Sequence, residues 1–165
     1  MKVRPEMKGI QKDMEPGRLT LDGYLGHDTR TVEQIIDADR MVLEDLGYTA
    51  MDLGKIMRRI TRAGMEAIEE PIEFDGYEVE VTEYMGWIGC PFKDHRKAGK
   101  RITDVTDLAT GEHLSWTDIG IHLIRDHGFF QGEGSYFRLD PARLVRFLRM
   151  DTRGIIQEEG QDITE

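Results

Sequence analysis

The chain has one cysteine in 165 residues, no long apolar run and fewer bases than acids. A single cysteine excludes an intrachain disulfide framework, so we expect a reducing, cytoplasmic environment. No segment approaches the roughly 18 apolar residues that a transmembrane helix needs, and the N-terminus lacks the apolar stretch of a secretory signal. These absences predict a soluble protein with no membrane partner.

The charge balance is acidic, with 32 Asp and Glu against 22 Lys and Arg and a formal net charge of −10. Nonspecific nucleic-acid binding requires cationic surface that displaces counterions, and anionic membranes attract the same kind of surface. Both partners are therefore disfavoured for the chain as a whole, although a local basic patch can act differently from the net charge.

Length and composition predict one folded domain. A chain of this length fits a single domain, and 39% hydrophobic with 33% charged residues is ordinary for a globular protein. We expect a flexible arm over residues 1–18, a single domain over 19–153 and an acidic tail over 154–165, because the two ends carry little periodic apolar sequence.

The first half of the domain has helical periodicity. Thr31 and Gln34 form a capping box that opens a helix, and Gly47 stands where a left-handed C-terminal cap belongs. Thr49 opens a second helix that ends before Pro71. The short connection predicts a helical hairpin.

Beyond Pro71 the apolar period changes to two. The segment 72–81 predicts a β-hairpin with a type I′ turn at Asp75-Gly76. Further elements follow: strands at 101–107, 113–116 and 136–139, a helix at 118–127 closed by Gly128, and a last helix opened by Asp140-Pro141. The fold class is therefore α+β, with an N-terminal helical hairpin packed on a small, mainly antiparallel sheet and two further helices near the C-terminus.

The segment Trp87–Arg101 is the first candidate site. It is basic on an acidic chain, and its polar residues are candidate ligands for an anion: Lys93, His95, Arg96, Lys97, Lys100 and Arg101. A phosphate or carboxylate would suit such a cluster. The alternatives are a solvated face, or pairing with the acidic segment 66–83 within the chain or across a homodimer.

Cys90 lies in the same segment, with His95 five residues later. Neighbouring cations could lower the pKa of its thiol and make it a nucleophile. A structural role fits equally well, because free cysteines are often buried.

The helix 118–127 supplies a second candidate site. Asp118, His122 and Asp126 are spaced by four residues on one face, so His122 could act as a catalytic base or bind zinc or another divalent metal. His95, His122 and Asp126 are the candidate metal ligands, with Cys90 or His113 as supplements, and His122, Asp118 and Cys90 are the catalytic candidates. His127 is about 140° from His122 around the helix, so the two are not expected to chelate together.

Two function classes remain open. One is a binding or accessory protein that recognises a small anionic ligand or a protein partner, or that self-associates. The other is a metal-dependent, zinc-type hydrolytic enzyme that uses the His/Asp cluster of residues 95–127.

Overall fold

The structure is a computed structural model that describes residues 5–16, 23–67 and 69–153. The acidic tail predicted over 154–165 lies outside the described residues. The helices are α1 (Pro5–Asp13), α2 (Val32–Leu46), α3 (Ala50–Met65), α4 (Asp118–His127) and α5 (Pro141–Phe147), and a 3₁₀ turn covers Met150–Thr152. The strands are β1 (Ile72–Phe74), β2 (Tyr77–Gly89), β3 (Lys97–Asp107) and β4 (His113–Thr117). The α+β fold class predicted from the sequence is confirmed.

The two predicted helices form where the capping signals place them, but they do not pack against each other as a hairpin: α3 packs on α4 and the sheet, whereas α2 packs on α5. The Thr31 hydroxyl accepts from the Gln34 amide and the Gln34 side chain accepts from the Thr31 amide, which completes the capping box. Gly47 ends α2 with a φ of +86°, in the left-handed region that favours glycine. The apolar stripe of α3 is buried, so this helix forms one wall of the core.

The four strands form one antiparallel sheet in the order β1-β2-β3-β4. Asp75 and Gly76 both have positive φ, as a type I′ turn requires. Tyr77, Val79 and Val81 are buried on the face that α3 and α4 cover. We call this the inner face; the residues that alternate with them lie on the outer face.

Strand β4 leads directly into α4, because Thr117 caps the helix with its hydroxyl on the Gly120 amide. Gly128 ends α4 in the left-handed conformation. Gly54 of α3 lies so close to Arg125 of α4 that an added Cβ would be 2.7 Å from the arginine Cβ. This close packing holds α4 against α3.

Other expectations also need correction. The arm predicted over 1–18 contains α1, and its Met7 and Ile10 pack, together with Met14 just beyond the helix, into a second apolar cluster with Cys90 and Phe129. Three apolar positions in a charged stretch are a weak helical signal, and the rest of the cluster comes from distant segments. The strand predicted at 101–107 begins earlier, at Lys97, so part of the basic segment is strand.

The strand predicted at 136–139 is a turn region instead. Arg138 in this region makes a bidentate ion pair with Asp39 of α2, with N···O distances of 2.5 and 3.0 Å. It also donates to the Gln131 carbonyl. These long-range bonds replace strand pairing.

None of the helices in the described ranges combines the length and the hydropathy that a membrane span requires.

Candidate metal centre

The loop that connects β2 to β3 folds back onto α4. The Cys90 amide donates to the Arg96 carbonyl at 2.8 Å, and the Lys93 amide donates to the Cys90 carbonyl at 3.0 Å. These bonds close the loop and aim Cys90 and Asp94 at the C-terminal half of α4.

Four side chains meet there: Cys90, Asp94, His122 and His127. One oxygen of Asp94 lies 2.7 Å from Nε2 of His122 and 2.7 Å from Nε2 of His127. The Cys90 sulfur is 3.6 Å from the same His127 nitrogen. One donor atom from each residue lies within 4.8 Å of all the others, so the four residues form a single compact site.

Asp94 is the central residue of this site, because it contacts both histidines. Burial opposes its ionisation, but hydrogen bonds from the Arg96 amide and from the His127 and His122 rings outweigh burial and hold the pKa of Asp94 well below its usual range. An ionised carboxylate only accepts hydrogen bonds, so each ring nitrogen that faces it is placed as a hydrogen-bond donor. A cation bound at this point would take the place of those protons.

Cys90 is 8% exposed, and burial raises the pKa of its thiol to about 12. Hydrogen bonds from the Phe92 and Asp94 amides lower that pKa, and the negative charge of Asp94 raises it. A raised pKa favours the neutral thiol, whereas nucleophilic attack requires the thiolate. The two amides are nevertheless placed to solvate a thiolate that a cation stabilises.

Neighbouring groups fix the orientation of both imidazoles. Nδ1 of His122 lies 2.7 Å from a carboxylate oxygen of Asp126, one turn further along α4. The ring of His127 stacks on Phe92, with centroids 4.2 Å apart and planes inclined by 11°. Carboxylates that accept from metal-bound histidines have this role in known metal centres, where they set the tautomer and the ring orientation.

The donor set fits zinc. One sulfur, two imidazole nitrogens and one carboxylate oxygen make four ligands of the types that tetrahedral zinc prefers. Bond lengths of about 2.3 Å to sulfur and about 2.0 Å to nitrogen place those two atoms about 3.5 Å apart in a tetrahedron, and the Cys90–His127 separation is 3.6 Å. The two 2.7 Å contacts of Asp94 are hydrogen-bond distances. They would widen by about half an ångström around an ion.

The cluster contains only part of the predicted site. Cys90 and His122 are both in it, and Asp126 contacts His122 from outside the ring of donors. Asp118 lies 3.3 Å from Arg101 instead. Of the other predicted ligands, His95 is exposed and outside the cluster, and His113 lies on the outer sheet face between Thr106 and Ser115.

Sequence reasoning missed Asp94 and excluded His127. Asp94 is the only acid in a basic segment, which makes it look incidental; a short Cys-x3-Asp spacing in a tight loop is the signal that could have found it. The angular argument against pairing His122 with His127 fails because Asp94 comes from another element and inserts between the rings. Their centroids are 5.2 Å apart, and the two nitrogens converge on a third group rather than on a point above the helix surface.

The cations predicted to bind an anion point in different directions. Lys93 is 3.6 Å from Asp13 of α1, and Arg101 is 3.3 Å from both Glu83 and Asp118. Arg96, Lys97 and Lys100 are exposed. Anion recognition by this segment stays a prediction without a convergent geometry.

Comparison with known proteins gives no match: no protein-family model, no curated protein and no solved structure resembles the chain.

Proposed function

We propose that this protein binds a zinc-type divalent metal through Cys90, Asp94, His122 and His127. The convergence of four donor atoms within 4.8 Å carries the proposal. Asp126 supports it independently, since it binds the outer nitrogen of His122 and leaves Nε2 for the metal. The chain would then be a binding protein whose ligand is a metal ion.

The metal is expected to act structurally. Two ligands come from the loop after β2 and two from α4, so an ion would fasten the loop to the helix. Four protein ligands complete a tetrahedron, whereas a catalytic zinc keeps one position for water. Two cavities of about 10 Å³ each lie elsewhere, beside Phe130 and beside Arg62, and no cluster residue lines either. The hydrolytic alternative needs Asp94, 26% exposed at its side chain, to give way to water.

The test combines metal analysis with thermal melting of the purified chain. We expect one zinc per chain, and a melting temperature that falls on chelation and recovers on zinc addition. Zinc at 100 times its dissociation constant contributes about 2.7 kcal/mol. His127→Ala should abolish this response, while His113→Ala, which removes an exposed histidine outside the cluster, should keep it.

Cobalt substitution reports the ligands directly. A cobalt-loaded chain should show a sulfur-to-metal absorption band that disappears in Cys90→Ser. A chain that takes up no metal and melts identically with zinc and with chelator would refute the proposal. Zinc binding that survives His127→Ala would refute the ligand assignment.

A further inference from the structure

The outer face of the sheet carries a regular pattern that the metal site does not explain. Glu78, Glu80, Thr82 and Tyr84 alternate along β2 with the buried Tyr77, Val79 and Val81. The helices α3 and α4 pack on the opposite face, and these four side chains are exposed or half-buried. Within the part of the chain that the structure describes, the outer face is therefore available to a partner.

Charge is segregated along this face. The strand register places Glu80 opposite Asp104, Thr82 opposite Ile102 and Tyr84 opposite Lys100. One end is acidic, the middle is neutral and the other end is basic and aromatic. Within the described residues, neither Glu80 nor Lys100 has an ion-pair partner, whereas Asp104 accepts from the Ser115 hydroxyl and lies 3.4 Å from Nε2 of His113.

We propose that this face binds a second copy of the same chain. Such a dimer has a two-fold axis between the two outer faces, perpendicular to the strands and above the Thr82–Ile102 pair. This axis reverses the strand direction in the partner copy. Asp104 of each chain then faces Lys100 of the other, and Glu80 faces the other Tyr84. Such a contact is isologous, so every pairing occurs twice.

The pattern favours a second copy over a polyanion. A nucleic acid attracted to Lys100 would be repelled by Glu78, Glu80 and Asp104 on the same face. A two-fold copy places Lys100 of one chain opposite Asp104 of the other at both ends of the contact. Ion pairs of this kind set orientation and specificity more than affinity, and the apolar contact would come from Ile102 and from Tyr84, which is 57% exposed.

The expected dimer is weak. The row from Glu78 to Tyr84 extends about 20 Å at 3.3 Å per residue, and three strands add about 14 Å of width. A face of this size, about 280 Å² on each copy, is smaller than the roughly 800 Å² per partner of a standard interface, so the contact is a weak and transient one. We expect a dissociation constant above the micromolar range, and we expect it to rise further with salt.

The experiment measures sedimentation of the full chain across a concentration series, with and without zinc. In a homodimer, Lys100→Glu places a glutamate of each chain opposite Asp104 of the other. Asp104→Lys places a lysine of each chain opposite Lys100 of the other. Each variant alone should raise the dissociation constant by roughly 100-fold or more. An equimolar mixture of the two should restore association, because each chain then faces the opposite charge.

Several outcomes would overturn the proposal. One is a monomer at all concentrations; another is a dimer that both variants leave intact. Failure of the mixture to associate, with both variants melting like the wild type, would also overturn it. Lys8→Glu on α1 makes the same charge change on a different element and should leave the dissociation constant unchanged. Because zinc binding is scored separately, the dimer and the metal site can fail independently.

Discussion

Removing the carboxylate of Asp126 tests whether the cluster is a metal centre or a hydrogen-bonded network. The side chain is 42% exposed and lies 2.7 Å from Nδ1 of His122. Asp126→Ala removes the group that holds Nε2 towards the metal while leaving all four donors present. Loss of such a partner typically weakens metal binding by about 10- to 100-fold.

The magnitude follows from linkage. A loss of about 10- to 100-fold in affinity equals about 1.4–2.7 kcal/mol, and at saturating zinc the melting transition loses that amount. For a chain of this size each kcal/mol corresponds to about 2–4 °C. We therefore expect the zinc-loaded variant to melt about 3–11 °C below the zinc-loaded wild type.

The assay is a zinc titration against a chromophoric chelator, paired with melting in zinc and in excess chelator. Asp45→Ala removes another exposed helical carboxylate, on α2, and should bind zinc like the wild type. The reasoning is refuted if Asp126→Ala binds zinc with unchanged affinity. It is also refuted if the variant loses equal stability with and without metal, since Asp126 would then support only the fold.

Two further predictions concern the scaffold. Gly64→Ala places a Cβ 2.7 Å from the methyls of two β2 valines, and the clash, about 1–3 kcal/mol, should exceed the helix-propensity gain of about 1 kcal/mol. Gly9→Ala in α1 places a Cβ 3.9 Å from the tip of a lysine side chain and should stabilise the fold. Urea unfolding measures the free energy of unfolding of both variants. The Arg30 guanidinium holds the pKa of Asp28 well below its usual range. The resulting contribution to stability is present above the unfolded pKa of about 3.9 and is lost as pH falls. Asp28→Asn should therefore lower the free energy of unfolding at pH 7, and its difference from the wild type should become smaller in acid. An equal difference at both pH values would contradict this prediction.

Local signals in the sequence determined the regular elements. Thr31, Gly47 and Asp75-Gly76 each act through backbone groups a few residues away, and each capping or turn residue has the predicted role. The same locality explains why α1 was missed. Met7 and Ile10 of α1, and Met14 just beyond it, are buried by Tyr24, Cys90 and Phe129. These partners are distant in the sequence, so the residues next to α1 do not predict the cluster.

The candidate site divides in the same way. The sequence indicated the His122–Asp126 pair, because one helical turn brings both side chains to one face. It also singled out Cys90 as the one thiol. Composition and helix geometry are enough to identify these residues, since neither depends on how distant segments pack.

Only the tertiary structure placed Asp94 between His122 and His127. The Asp94 carboxylate is 28 residues from one ring and 33 from the other along the chain. Their meeting depends on the β2–β3 loop folding onto α4, which in turn depends on packing of both elements in the core. Residue spacing fixes which side chains share a helix face, whereas long-range packing decides which loop reaches that face, and the chemistry of this site requires both.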